Sequence, residues 1–222
     1  MGKDNIHHKR KAKQAKELAR RKARRKPYDK VLIVCEGGKT EPNYFEELKD
    51  YYELPSANVE ITGKCGSSPM SVVTHARTLY REARKAGDAF DKVFCVFDKD
   101  VHDGYGRALD ILAEIKPEGE FVAIPSVPCF EYWLLLHFIY TDKPFHSTGN
   151  KSICETVIHE INRNHWPAYK KAAHGVFNQR LKQLDFAKGN AARALTAAQE
   201  DCTDNPSTRV YELVSYLQEL KK

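Results

Sequence analysis

Nothing in these 222 residues approaches the run of about 20 apolar residues that a membrane-spanning helix requires. No hydrophobic stretch follows the basic N-terminus, so a secretory signal is not expected. The six cysteines (Cys35, Cys65, Cys95, Cys129, Cys154 and Cys202) include no CxxC pair, which argues against a zinc ribbon and against a disulfide framework. Cys35 and Cys95 fall inside apolar runs, the pattern of buried free thiols in a reducing compartment, so a cytoplasmic location is expected. There is no internal repeat. With 41% hydrophobic residues, the chain can build one sizeable core, or a smaller domain with appendages.

Charge is unevenly spread. Residues 1–30 hold 13 Lys/Arg and three acids, a net of +10, whereas the remainder holds 23 basic and 27 acidic residues, a net of −4. The basic arm, residues 1–27, is Ala-rich between Lys9 and Lys26 and free of Gly and Pro there, so it can form a helix, but it has no apolar face with which to dock. Alone it should be disordered or weakly helical. A phosphate backbone is the partner its charges suit, through Lys9, Arg10, Lys11, Arg20, Arg21, Lys22, Arg24 and Arg25. A solubilising tail is the plainer alternative.

From Tyr28 the pattern becomes alternating strand and helix. Val31–Cys35 and Val93–Phe97 are short continuous apolar runs, as in strands buried on both faces of a parallel sheet. Between them the pattern predicts a helix near Pro42–Tyr52, a weaker strand near Val59–Thr62 and a helix over Pro69–Ala86 with Ser68 as its N-cap. A helix near Arg107–Ile115, a strand near Phe121–Ile124 and an apolar segment Phe130–Tyr140 follow. This order implies an α/β domain over residues 28–140 with a mainly parallel, doubly wound sheet flanked by helices. The polar, turn-rich stretch Thr141–Asn150 is the best boundary. Beyond it, residues 141–222 read as helical: about Ser152–Asn162, Tyr169–Leu184, Asn190–Glu200 and Thr208–Leu220.

Three acids stand out by position. Glu36 directly follows the first buried strand, and Asp98 and Asp100 directly follow the third. Ligands of open parallel sheets bind at the carboxyl ends of the strands. Carboxylates gathered there repel one another unless a cation neutralises them, and an all-oxygen donor set suits Mg²⁺ or Mn²⁺. Glu131, after the fourth strand, could extend the site toward two metals. For an acid taken singly, such as Asp103 or Glu41, a helix cap or a solvated turn is the better expectation.

The string Gly37-Gly38-Lys39-Thr40 is not a Walker A loop, because that pattern needs glycine at position 33 and Ile33 is there. The glycines permit a tight turn after Glu36, and Lys39 and Thr40 are candidate phosphate contacts.

Taken together, VLIVCEGGKTEPNYF at 31–45, VFCVFDKD at 93–100 and VPCFEYWLLLHF at 127–138 resemble the RloB-like family. Gly189-Asn190-Ala191 and Asn205-Pro206-Ser207-Thr208, followed by an apolar helix, fit the same resemblance, which spans about residues 28–220. It implies a Toprim-like fold related to OLD-family nucleases, an ABC-type ATPase as partner, and a role in phage defence. It also implies that Glu36 acts as general acid/base while Asp98 and Asp100 hold Mg²⁺. Many Toprim domains continue to DxDxD. Here the fifth position is His102, a possible ligand or proton carrier, and this departure weakens a topoisomerase-like reading. The resulting expectation is a metal-dependent nuclease acting on DNA or RNA, tRNA included, with homo-oligomerisation left open. The alternative is a non-catalytic binding or regulatory module.

Overall fold

The computed structural model describes residues 10–13, 15–17, 19–20, 28–99, 104–115 and 120–221. Five strands form one sheet: β1 (Val31–Cys35), β2 (Val59–Thr62), β3 (Lys92–Asp98), β4 (Phe121–Val127) and β5 (Ser207–Thr208). Their order is β2-β1-β3-β4-β5, with the first four parallel and β5 antiparallel to β4. Helices α1 (Thr40–Tyr51), α2 (Pro69–Lys85) and α3 (Tyr105–Glu114) make the crossovers between β1 and β4. The chain leaves β1 toward β2 and returns on its other side as β3, so the order reverses between β1 and β3. The carboxyl end of such a reversal opens a crevice.

Alternation along the strands divides the core in two. Val31, Ile33, Cys35, Phe94 and Val96 face one side, while Leu32, Val34, Val93, Cys95 and Phe97 face the other. The second face is covered by α2 and α3 through Val72, Val73, Ala76, Ala108 and Leu112. The first face is covered by α1 and by the C-terminal region: α4 (Phe130–Leu135), α5 (Ile153–Glu160), α6 (Val176–Arg180), α7 (Leu184–Glu200) and α8 (Val210–Glu219). Both faces of β1 and β3 are therefore buried, which is why these strands carry unbroken apolar runs.

Local signals behave as the sequence predicts at α2. Ser68 and Ser71 exchange side-chain-to-backbone hydrogen bonds, each 3.2 Å, and Pro69 opens the helix. The C-terminal region packs on the sheet: the rings of Phe94 and Tyr216 lie 5.0 Å apart, and the hydroxyls of Ser126 and Thr208 meet at 2.9 Å. Two expectations there need correction. Tyr169–Leu184 is not one helix. Residues 167–175 are turns and irregular backbone, with Ala172 (φ 65°) and Gly175 (φ 80°) in the left-handed region, and α6 is only five residues long. Conversely, α7 starts at Leu184 and runs through Gly189, earlier than the expected start at Asn190. Among the described residues no helix is long and apolar enough to cross a membrane.

Candidate functional site

The ends of β1 and β3 bring Glu36 and Asp98 together. The Glu36 N–H continues the strand ladder by donating to the Val96 carbonyl at 2.9 Å, and the Asp98 N–H donates to Glu36 Oε2 at 3.0 Å. The carboxylate of Glu36 is thus held against the backbone of the other acid. The turn that follows is built for close approach. A side chain on Gly37 would strike the carboxyl of Glu41, and one on Gly63 would strike the Gly37 carbonyl. Removing the Cβ at both positions lets α1 start directly over the end of β1.

Glu41 enters the site through α1. It is 6% exposed, and Glu131, the second residue of α4, is 1% exposed. Rings hold α1 to both α4 and α6: Tyr44 makes edge contacts with Phe130 and Trp133 of α4 and with Phe177 of α6, at centroid distances of 5.5, 6.4 and 5.4 Å. The loop before α6 closes the far wall. There Tyr169 donates its hydroxyl hydrogen bond to Glu131 Oε1 at 3.2 Å, and Lys171 Nζ lies 3.8 Å from the same oxygen. That loop is fastened to α1, because the Ala172 N–H donates to Thr40 Oγ1 at 3.2 Å and Asn43 Nδ2 donates to the Ala172 carbonyl at 3.3 Å. The result is a cleft of about 880 Å³ lined by Glu36, Lys39, Glu41, Asp98, Cys154 and Lys171, among others.

Its electrostatics are those of crowded acids. Burial drives the Asp98 carboxyl well above the usual carboxylate range, and the charges of Glu41, Glu131, Cys154 and Glu36 push the same way. Glu41 is pushed up to about 7, first by burial and then by Glu131 and Glu36, with Lys171 pulling against them. Glu131 in turn raises the Lys171 ammonium. Such a cleft disfavours full ionisation of its own acids.

The other sequence candidates divide as follows. Lys39 is exposed on the rim, immediately before α1, while Thr40 is buried and its hydroxyl is used by Ala172. Asp100 and His102 lie outside the described residues, as do Lys9, Arg21, Lys22, Arg24 and Arg25. Arg10, Lys11 and Arg20 are exposed and helical. Among the described residues, no group of three His, Cys, Asp or Glu side chains stands close enough to hold a metal ion. Sequence reasoning set Glu41 aside as a cap or solvated turn and did not single out Tyr169 or Lys171. Glu41 is the second residue of α1, where a lone acid reads as a first-turn acid.

The profile of the RloB-like protein family matches residues 31–217. The chain belongs to this family. No curated protein and no solved structure matches it. The RloB-like match begins at the first residue of β1 and ends within α8, so it takes in both walls of the cleft and leaves out the basic arm.

Proposed function

We propose that this RloB-like chain is a Mg²⁺- or Mn²⁺-dependent nuclease with a Toprim-like catalytic domain, an effector in phage defence that works with an ABC-type ATPase. The observation that carries this reading is the crowding of Asp98 by Glu36, Glu41 and Glu131 at the carboxyl edge of β1 and β3. A partly buried acid surrounded by acids is a site that a cation completes. The donors suit such a cation in kind, being hard carboxylate oxygens. Mg²⁺ usually takes only one or two protein carboxylates and fills its remaining positions with water and phosphate, so an all-protein cage is not required. Glu36, Asp98 and Asp100 would hold the ion, with Glu131 beside them. A divalent cation there supplies water activation and stabilises the leaving oxygen of a phosphodiester.

The chain's own groups do the rest. Glu36, oriented by the Asp98 N–H, is the candidate to hold and pass a proton. Lys39 and Lys171, both exposed and both lining the cleft, are placed to meet substrate phosphates. The test is incubation of the protein with tRNA, total RNA and plasmid DNA, with and without Mg²⁺ or Mn²⁺ and with and without a neighbouring ATPase. Metal-dependent fragmentation is the expected result, and intact nucleic acid in every combination would overturn it. Glu36→Gln should keep Mn²⁺ binding by calorimetry and lose turnover.

A second reading is a non-catalytic nucleic-acid-binding or regulatory module. It is favoured by the pairing of Glu131 with Tyr169 and Lys171, which already occupies one of the four acids. Calorimetry separates the two, since this reading expects no Mn²⁺ uptake.

A further inference from the structure

A second concavity lies at the opposite, amino edge of the sheet. There the last turns of α2 present Arg77, Arg81 and Arg84 into a groove of about 420 Å³. Its floor is apolar, made by Ile111 and Ile115 at the end of α3 and by Phe121 at the start of β4. Tyr80 stands among the arginines. Its ring meets Phe121 edge-on at 5.1 Å, and its hydroxyl donates to the Glu120 carboxylate. Glu120 is therefore engaged, Arg84 also reaches the Tyr80 hydroxyl, and Glu114 lines the groove beside the arginines, although among the described residues no ion pair within 4.0 Å involves Arg77, Arg81 or Arg84. Three guanidiniums share this groove with two carboxylates, Glu114 and the engaged Glu120, which leaves a local excess of one positive charge in a body, residues 31–222, whose net charge is −4.

We propose that this groove binds single-stranded nucleic acid, with the arginines on successive phosphates and the Tyr80 ring against a base. A rise of 1.5 Å per residue spreads Arg77 to Arg84 over about 10 Å, a row rather than a point. Guanidinium forks match phosphate oxygens bidentately, and a cationic groove with an aromatic ring is the general form of a single-strand site. An acidic protein segment would use the arginines but not the ring. The exposed cations of the arm, Arg10, Lys11 and Arg20, also call for a polyanion, and one ligand class then accounts for both features.

The test needs no metal and no cleavage, so it stands apart from the nuclease reading. Binding of fluorescein-labelled 20-mer single strands and duplexes to the full chain is followed by anisotropy in EDTA across a salt series. The triple variant Arg77→Ala, Arg81→Ala, Arg84→Ala should weaken single-strand binding about tenfold or more and flatten the log–log salt slope by about 2. A triple of exposed cations elsewhere (Lys151→Ala, Arg163→Ala, Lys182→Ala) should change the slope far less. The triple lysine variant of the groove, which keeps the charge, should retain most of the slope. Tyr80→Ala should weaken single strands several-fold and leave duplexes unaffected. Equal losses in the two alanine triples, no loss in the groove triple, or a poly-glutamate peptide bound as tightly as the oligonucleotide would each overturn the proposal.

Discussion

The two edges of the sheet handle buried charge in opposite ways. At the amino edge, Lys30 and Asp88 are 4% and 7% exposed and matched. The ammonium donates to the Asp88 carboxylate and carbonyl at 2.7 Å each and lies 4.3 Å from the centre of the Phe90 ring. At the carboxyl edge, Glu36, Glu41 and Asp98 line one cleft, and the buried Glu131 behind it is met by Tyr169 and, at 3.8 Å, by Lys171. A matched pair with its hydrogen bonds satisfied holds structure. Acids such as Glu41 and Asp98, whose carboxyls are pushed upward by burial and by neighbouring carboxylates, cost stability in the empty protein and mark the edge where chemistry is expected.

The largest effect should come from the acid-rich carboxyl edge. Asp98→Ala, and Asp100→Ala in the same motif, should each reduce metal-dependent cleavage by about a thousandfold or more, the scale for losing a group that stabilises transition-state charge. The apo protein of Asp98→Ala should melt no lower than wild type, because one repelling acid is gone. Wild-type cleavage in both variants would remove the distinction between the edges.

The matched edge should behave in the reverse manner. Asp88→Ala strands a buried ammonium and should cost about 3–5 kcal/mol in urea unfolding, with no change in metal affinity. Adding Lys30→Met should recover much of that loss. A double variant no more stable than the single one would mean that the pair is not the unit.

The acid cleft should also set a pH dependence. The fold holds the Glu41 carboxyl at about 7, above its ordinary value of 4.5, and raises Asp98 in the same direction. Folding therefore favours the neutral forms. Below about pH 4 the effect vanishes. As pH rises from about 5 to 8 the apo protein should lose stability, by roughly 3 kcal/mol from Glu41 alone. Urea melts at pH 5 and pH 8 measure this, and Glu41→Gln or saturating Mn²⁺ should flatten the profile. A flat wild-type profile would mean that the cleft is not strained by its charges.

The smallest effect on stability should follow deletion of residues 1–26. It removes 12 Lys/Arg and two acids. If six of those cations contact phosphates, the wild-type salt slope is about −4 to −5, and deletion should remove most of the arm's share. Filter binding across a salt series reads this, and an unchanged slope would leave the arm a solubility tail.

The parts of this molecule that were legible in the sequence are those set by local pattern. Val31–Cys35 and Val93–Phe97 announce doubly buried strands, and the acids directly after them mark the crevice end of the sheet. The turn signal at Ser68-Pro69 placed α2 to within one residue. What escaped was decided by contacts distant in sequence. Glu41 is buried because the loop carrying Lys171 closes over it, and that loop is tied down by a bond from Ala172 to Thr40, 132 residues away. The same ties explain the missing helix. The Gly175 and Phe177 N–H groups are taken by the Glu47 carboxylate, which captures backbone that an Ala-containing segment would otherwise pair within itself. The start of α7 was missed in the other direction, since the helix already begins at Leu184 and passes through Gly189, with Leu184, Ala187, Asn190 and Ala191 packed inward.

The two-residue strand β5 has a consequence for the order in which the molecule is assembled during synthesis. The four parallel strands are complete at Val127, but the residues that hydrogen-bond the outer side of β4 arrive 80 positions later, at Ser207. Lys171 and Tyr169, which the acids need as neighbours, also emerge within that interval. Throughout it the nascent chain presents an unpaired strand border and an incomplete cleft, the combination that recruits holding chaperones and invites strand exchange between copies. The Ser126–Thr208 contact closes that border only at its carboxyl end, where the cleft opens.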